Sequence, residues 1–134
     1  MMLSKVSIFC MIAASIIGCN TSLKSKCSGT GQGVLVFEKE MHNFGQVTYG
    51  DVLGVSFKCY NQGHEPVIIN EVVLGCGCTE VNYSNEPLVP GDSLYLEVVF
   101  DSKGLHGRQV KKVTVQASDS LRTHDLYIWA DVMN

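Results

Sequence analysis

Apolar and polar residues alternate with a period of two along most of the chain from Val34 onward. This period predicts β-strands that bury one face and expose the other, as in antiparallel sheets. The sequence contains no convincing run with the period of an amphipathic helix. The clearest apolar rows are Leu94-Leu96-Val98-Phe100 and Leu126-Ile128-Ala130-Val132.

Turn-forming residues interrupt the alternation roughly every ten residues, a spacing that indicates a sandwich of short strands. Pro90-Gly91-Asp92 and Lys103-Gly104 are two such interruptions. We therefore predict an all-β fold, an immunoglobulin-like seven-stranded β-sandwich with Greek-key connections. A short extra strand is allowed at 34–38. The seven predicted strands lie near 42–46, 52–60, 66–74, 78–83, 93–101, 109–117 and 124–132.

The last predicted strand carries charged residues on its outward face, at Asp125 and Asp131. Charges in this position are typical of an edge strand that resists further pairing. Tyr127 and Trp129 share the same face. We expect these two aromatic side chains to cover a neighbouring strand, and a contact surface is the alternative interpretation.

The beginning of the chain has the pattern of an export signal. Lys5 precedes an apolar run from Val6 to Ile17, which is too short for a membrane span of about 20 residues. The run ends in Ile16-Ile17-Gly18-Cys19, which resembles the bacterial lipobox, where cleavage before the cysteine exposes a thiol for acylation. The alternative is an ordinary secretory signal with a chance cysteine.

This pattern predicts three segments, with a lipoprotein signal peptide at 1–18 and the sandwich at 34–134. Residues 19–33 are rich in Ser, Thr, Gly and Lys, which predicts a flexible tether. A multiply acylated Cys19 would hold the protein on a membrane without crossing it. We expect a periplasm-facing lipoprotein of the bacterial cell envelope. Asn20 favours the outer membrane, because an aspartate there often retains lipoproteins at the inner one.

The formal net charge of the chain is −3. No basic stripe is present, which argues against nucleic acid as a partner. The expected partners are a membrane, through the lipid anchor, and an envelope protein. The sequence identifies no small-molecule substrate and implies no cofactor.

Four cysteines remain after the signal peptide and the lipidation candidate are set aside. Cys59 falls on an inward position of a central strand, where an unpaired thiol behaves as a small hydrophobic residue. Cys27 lies on the tether, and its pairing stays open. Cys76 and Cys78 flank Gly77, so on a strand both thiols would share one face, and we expect the glycine to allow a sharp bend.

The Cys76–Cys78 pair has three interpretations. A disulfide across one residue closes a tight ring, and strained bridges are the ones used for exchange. Two converging thiolates also suit Cu(I) or Zn²⁺. The third interpretation, a purely structural corner, is the one we favour, because C-x-C matches neither the usual zinc spacing nor the C-x-x-C redox motif.

The loop order of a sandwich identifies the residues that accompany the corner. The connections at 47–51 and 102–108 should share its end, so His106 is the histidine expected near the two thiols. His64 and His124 should lie at the opposite end, where the tether enters. Cys76, Cys78 and His106 are therefore the candidate thiol or metal site.

The combined spacing of several motifs resembles the bacterial domain of unknown function 1573. The motifs are Asn61-x-Gly63 with Pro66, Cys76-Gly77-Cys78-Thr79, Pro87-x-x-Pro90-Gly91, Phe100-Asp101-Ser102-Lys103-Gly104, Gly107 and Lys112. The resemblance implies a Hydin-type or major-sperm-protein-type immunoglobulin fold over most of 42–134. It also implies a signal-bearing or lipid-anchored protein, and it supplies no catalytic residue.

Catalytic motifs such as G-x-S-x-G, H-E-x-x-H and a phosphate-binding glycine loop are absent from the sequence. We therefore expect a non-enzymatic, lipid-anchored binding or scaffolding module. The alternative is a thiol-based metal-binding or redox carrier that uses Cys76 and Cys78.

Overall fold

The computed structural model describes residues 32–134, and the regular structure in this part of the chain consists of β-strands. Within the same range, no helix is long and apolar enough to span a bilayer. The eight strands are β1 (Leu35–Phe37), β2 (Met41–Thr48), β3 (Val52–Asn61), β4 (Ile69–Leu74), β5 (Thr79–Asn82), β6 (Ser93–Asp101), β7 (Gly107–Ala117) and β8 (Thr123–Met133).

The strands form two four-stranded sheets, in the order β1-β3-β6-β5 and β2-β8-β7-β4. The apolar rows of the sequence line the space between them. Phe57 and Leu96 of the first sheet and Val113 and Leu126 of the second are all fully buried. Each such side chain stabilises the fold by about 1.5–3 kcal/mol relative to exposure. The predicted all-β sandwich is confirmed.

Three features of the sheets differ from the sequence-based expectation. The strand count is eight, because Leu35–Phe37 forms the short strand that was allowed at 34–38. The β2–β8 pair is parallel, not antiparallel. β8 is a central strand between β2 and β7, so the edge assignment was wrong. Its charges face solvent on the outer side of the sheet, where Asp125 binds Lys112.

The sandwich has two ends of different character, and β3 runs from one to the other. We call the end formed by residues 49–51, 75–78 and 102–106 the tip, and the end formed by 32–34, 62–66 and 118–122 the entry end. The main chain of the entry end is held together by hydrogen bonds from Gln62 N to Val34 O (2.8 Å) and from Ser120 N to Gly33 O (3.2 Å). Ten residues of β3 separate the ends by about 30 Å.

The Asn61-x-Gly63 motif organises the entry end. Asn61 is buried, and its side-chain amide donates to the carbonyl oxygens of Glu65 (2.7 Å) and Leu88 (2.9 Å). Its Oδ1 accepts from the N–H groups of Val34 (3.2 Å) and Gly63 (2.9 Å). One side chain therefore satisfies main-chain groups from three separate segments.

Candidate functional site

The corner between β4 and β5 carries a disulfide bond between Cys76 and Cys78, with Cα atoms 5.3 Å apart. Both cysteines are partly buried, and Cys78 packs against the core. The hydroxyl oxygen of buried Thr79 lies 3.5 Å from the Cys76 sulfur and 3.9 Å from that of Cys78. The two thiols of the candidate site are thus joined to each other.

Gly77 does not have the special conformation expected of it. It is not among the glycines with positive φ. A Cβ atom at this position would meet no atom within 4 Å. The bend at the corner therefore does not require glycine between the two cysteines.

Ser102 ties the tip loops together. It is completely buried, and its Oγ lies 3.0 Å from the carbonyl oxygen of Thr48 and 2.9 Å from that of Asp51. Its N–H also donates to Asp51 O (3.0 Å), and Asp101 N–H donates to Cys78 O (2.9 Å). These bonds fix the 49–51 turn, the 102–106 loop and the disulfide corner relative to one another. The prediction that the three share an end is confirmed.

His106 is at the tip but does not join the cysteines. Its exposed ring stacks on Tyr49, with centroids 5.2 Å apart and an interplanar angle of 11°. Its Nδ1 lies 3.1 Å from Asn134 Oδ1. Within residues 32–134, no group of three or more metal-ligating side chains is assembled. The Cys76, Cys78 and His106 ligand set is therefore not formed in this arrangement, because the sulfurs are bonded together and the imidazole contacts other residues.

A small cleft of about 140 Å³ opens beside the disulfide. Two of its lining residues, Glu80 and Asp101, are acidic, and exposed Val52 lies at its edge. The tip thus combines a disulfide, an acidic cleft and a stacked aromatic pair.

The other sequence-predicted cysteines have different outcomes. Cys59 is buried and unpaired as predicted, with its sulfur 3.7 Å from Leu94 O. Burial raises the pKa of its thiol to about 12, which suppresses the reactive thiolate. The lipidation candidate Cys19 and the tether cysteine Cys27 lie outside the described residues.

Sequence reasoning missed a larger cleft, of about 280 Å³, on the outer face of the second sheet. The strand register explains it. Gln46 of β2, Asp131 of β8 and Arg108 of β7 form one cross-strand row, and Trp129 lies in the adjacent row. The register of β2 against β8 shifts between Asn43 and Gln46, and both residues line the cleft. We call this feature the outer-face cleft.

The outer-face cleft is lined by two opposite charges and by the indole of Trp129. Arg108 and Asp131 are direct cross-strand neighbours, yet the part of the chain that the structure describes contains no ion pair between them. The indole Nε1 of Trp129 is buried and has no hydrogen-bond partner among these residues. The outward position of Trp129 on β8 was the sequence signal for this cleft. We had expected its side chain to cover a neighbouring strand.

The neighbours of this fold are found in several kinds of protein. The sandwich resembles a protein of unknown function from Porphyromonas gingivalis W83, with TM-score 0.66 and 17% identity, over 75% of this chain and 48% of that one. It also resembles a PapD-like domain of human CEP192, with TM-score 0.64 and 8% identity, over 78% and 88% of the two chains.

A third similar structure is the secreted serine protease VesC from Vibrio cholerae, with TM-score 0.60 and 16% identity. That match covers 75% of this chain and 23% of the protease. The chain thus spans about half of the Porphyromonas protein and about a quarter of VesC. At these identities the likeness establishes an immunoglobulin-like fold and nothing about activity.

No functionally curated protein matches the chain. A family model does match it, over residues 35–132, which is nearly the whole sandwich. The resemblance seen in the Asn61-x-Gly63 and Cys76-Gly77-Cys78 motifs is thereby confirmed, and the chain belongs to the family described as protein of unknown function (DUF1573).

Proposed function

We propose that this protein is a lipid-anchored, non-enzymatic binding or scaffolding module of the bacterial cell envelope that presents its tip to a protein partner. The observation that carries the proposal is the position of the two ends. The described chain begins at the entry end, and the tip lies at the other end of β3. A domain tethered at one end leaves the other accessible.

The composition of the tip suits protein recognition. Tyr49 is 44% exposed and Val52 is 61% exposed, and Val52 lines the same cleft as the acidic residues Glu80 and Asp101. Exposed aromatic and apolar groups with a polar rim are typical of protein interfaces. The Ser102 bonds and the disulfide hold these groups in place, which lowers the entropy lost on binding.

The anchor is part of the proposal and rests on the Ile16-Ile17-Gly18-Cys19 pattern. We take the sandwich to be of the immunoglobulin type with Greek-key connections, held by Cys19 on the periplasmic side of a membrane, with the outer membrane favoured. Labelled palmitate should incorporate into the wild-type protein and not into a Cys19→Ala variant. The anchor would be rejected if the wild-type protein incorporated no palmitate and the Cys19→Ala variant still appeared in the same membrane fraction as the wild type.

Site-specific crosslinking in intact cells tests the tip. A photo-crosslinking amino acid replaces His106 at the tip or, as the matched control, His64, which is an exposed histidine at the entry end. We expect a discrete adduct from position 106, lost when Tyr49→Ala is added, and no such adduct from position 64. The same adduct from both positions, or none from 106, would contradict binding through the tip.

The disulfide favours a second candidate function, a thiol-based redox carrier. A thiolate on a partner dithiol attacks one sulfur of the Cys76–Cys78 bond, which breaks and releases the other sulfur as a thiolate. The second thiolate of the partner then attacks the partner's sulfur in the mixed disulfide and releases the remaining cysteine as a thiolate. The partner thereby loses two electrons, and the Cys76–Cys78 pair gains them. Only the reduced pair could bind Cu(I) or Zn²⁺, because thiolates are the ligands.

Equilibration with glutathione buffers separates the two candidates. Differential alkylation followed by peptide mass mapping reports Cys76 and Cys78 apart from the other cysteines. A carrier should titrate reversibly with a midpoint above about −300 mV. A pair that stays oxidised throughout that range is a structural staple, and the redox and metal-binding hypotheses then fail while the binding module stands.

A further inference from the structure

We propose that the outer-face cleft binds one ring of a neutral saccharide. This site is separate from the tip, and the inference does not depend on the proposed function. It rests on the row Gln46–Asp131–Arg108, on the adjacent indole of Trp129, and on the space between them.

The polar groups of the cleft match the hydroxyl groups of a sugar. A hydroxyl donates one hydrogen bond and accepts others. Asp131 supplies acceptors, Arg108 supplies donors, and the amide of Gln46 supplies both. Asn43 Oδ1 already accepts a hydrogen bond from Gly45 N–H (2.8 Å). The amide NH₂ of Asn43 takes no part in that bond, so it can donate to a ligand. Neighbouring hydroxyls of one pyranose can therefore be bound by acceptor and donor groups at once.

Trp129 supplies the apolar component. Its side chain lies on the outer sheet face beside exposed Val110, its direct cross-strand neighbour on β7. The C–H face of a pyranose packs on such an aromatic surface, and indole combines a large apolar body with one polar group. That polar group, Nε1–H, lacks an acceptor within residues 32–134. Nε1 itself is shielded from solvent, so a bound sugar would contact the partly exposed ring of Trp129 rather than Nε1–H.

Charge and size select a neutral sugar over other small molecules. The one cation and one anion that line the cleft, Arg108 and Asp131, cancel, which favours neither an anionic nor a cationic ligand. The volume of about 280 Å³ is near the lower end for small-molecule sites. It therefore suits one sugar ring, and the lining residues Asn43, Gly45 and Gln46 are exposed.

The backbone of β2 is irregular where it lines the cleft. β2 loses register with β8 between Asn43 and Gln46, and Gly45 within this bulge has a φ of 72°. Bulges are frequent next to binding sites because they redirect side chains and end pairing locally.

Binding can be read directly because Trp129 is the only tryptophan of the chain. The purified full chain is titrated with cellobiose and N,N′-diacetylchitobiose as neutral probes, and with digalacturonate and glycine as charged and zwitterionic probes. We expect a saturable change in tryptophan fluorescence and in the indole N–H resonance with a neutral probe only. Arg108→Ala and Asp131→Asn should each weaken binding at least tenfold.

Lys112→Ala is the matched control, because Lys112 lies on the same sheet face and already pairs with Asp125, 2.9 Å away. Its affinity should equal that of the wild type. Thermal unfolding of each variant verifies that it is folded. Calorimetry measures binding by the Trp129→Phe variant, which lacks the indole N–H but keeps an aromatic ring. A saturable response to glycine or digalacturonate in place of the neutral probes overturns the proposal. So does the absence of any saturable response, or equal loss in Lys112→Ala.

Discussion

Asp119 and His124 form a buried pair at the entry end, with Asp119 Oδ2 2.9 Å from His124 Nε2. A carboxylate accepts hydrogen bonds, so Nε2 of the imidazole carries the proton in this contact. The same Oδ2 lies 3.2 Å from the N–H of Leu35, which comes 84 residues earlier in the chain. One oxygen thus joins the first strand of the sandwich to the last.

Replacing Asp119 should strongly destabilise the fold. Asp119→Ala leaves the Leu35 N–H and the His124 imidazole buried without their acceptor. It also removes the acceptor of the N–H of exposed Arg122, which donates to Oδ1 (3.0 Å). We expect a loss of about 3 kcal/mol in the free energy of unfolding, measured by denaturant titration. Asp125→Ala, at a partly exposed carboxylate, is the control and should cost less than about 1 kcal/mol. Equal losses would show that Asp119 does not link these strands.

The Lys112–Asp125 pair gives a dependence of stability on pH. The hydrogen bond from Lys112 lowers the pKa of Asp125 from its ordinary 3.8, and the same bond raises the pKa of Lys112 from 10.5. A lowered carboxyl pKa gives stability that is present above 3.8 and lost as the pH falls through the folded-state value. A raised lysine pKa gives stability that is present below 10.5 and lost as the pH rises through the folded-state value.

We therefore expect the contribution of the pair to be complete between about pH 4 and pH 10. Asp125→Asn should lower the unfolding midpoint within this window, by an amount that shrinks in high salt because the pair is exposed. Below the folded-state pKa of Asp125 the two proteins should converge. A difference that is the same at pH 2 and pH 7 would rule out this ion pair as its cause.

The sequence predicted the strands well because alternation reports which face of a strand is buried. It did not identify strand neighbours, because a central strand and an edge strand alternate alike when one face meets solvent. The outward charges Asp125 and Asp131 therefore suggested an edge, although β8 lies between β2 and β7. The parallel β2–β8 pairing was hidden for the same reason.

The candidate site was predictable only where chain order decides proximity. Loop order placed the Cys76–Cys78 corner and His106 at one end, and the hydrogen bond from Asp101 N–H to Cys78 O confirms that arrangement. Side-chain direction is not encoded in loop order, so the stacking of His106 on Tyr49 was not foreseen. The outer-face cleft depends on a bulge and on a row drawn from three strands, and neither leaves a local sequence pattern.

Cys59 should be chemically silent in the folded protein. Its thiol is buried among core side chains, and burial raises its pKa from 9.0 to about 12. At pH 8, iodoacetamide should leave Cys59 unmodified in the native protein and alkylate it fully after denaturation, as read by peptide mass mapping. Reduced Cys76 and Cys78 provide the internal comparison, since both are partly exposed. Alkylation of native Cys59 at a comparable rate would contradict its burial.

Two glycines of the family motifs should respond in opposite ways to the same added methyl group. A Cβ atom on Gly63 would overlap the main chain of the entry segment, which is residues 32–34. It would meet Gln32 O and Val34 N, and it would lie 2.7 Å from the Cα of Gly33. Backbone atoms cannot yield as a flexible side chain can, so Gly63→Ala must displace the entry segment and break the Asn61 hydrogen bonds. We expect a loss of about 2–4 kcal/mol, from the groups left unsatisfied and the strain.

Gly77→Ala is the matched substitution at the tip. It adds the same atom where nothing lies within 4 Å and where φ is not positive, so the free energy of unfolding should change by less than about 0.5 kcal/mol. Denaturant titration of both variants with the disulfide intact gives the comparison. If Gly77→Ala proved as damaging as Gly63→Ala, the corner would depend on a conformation that an alanine cannot adopt, and the glycine between the cysteines would be structural after all.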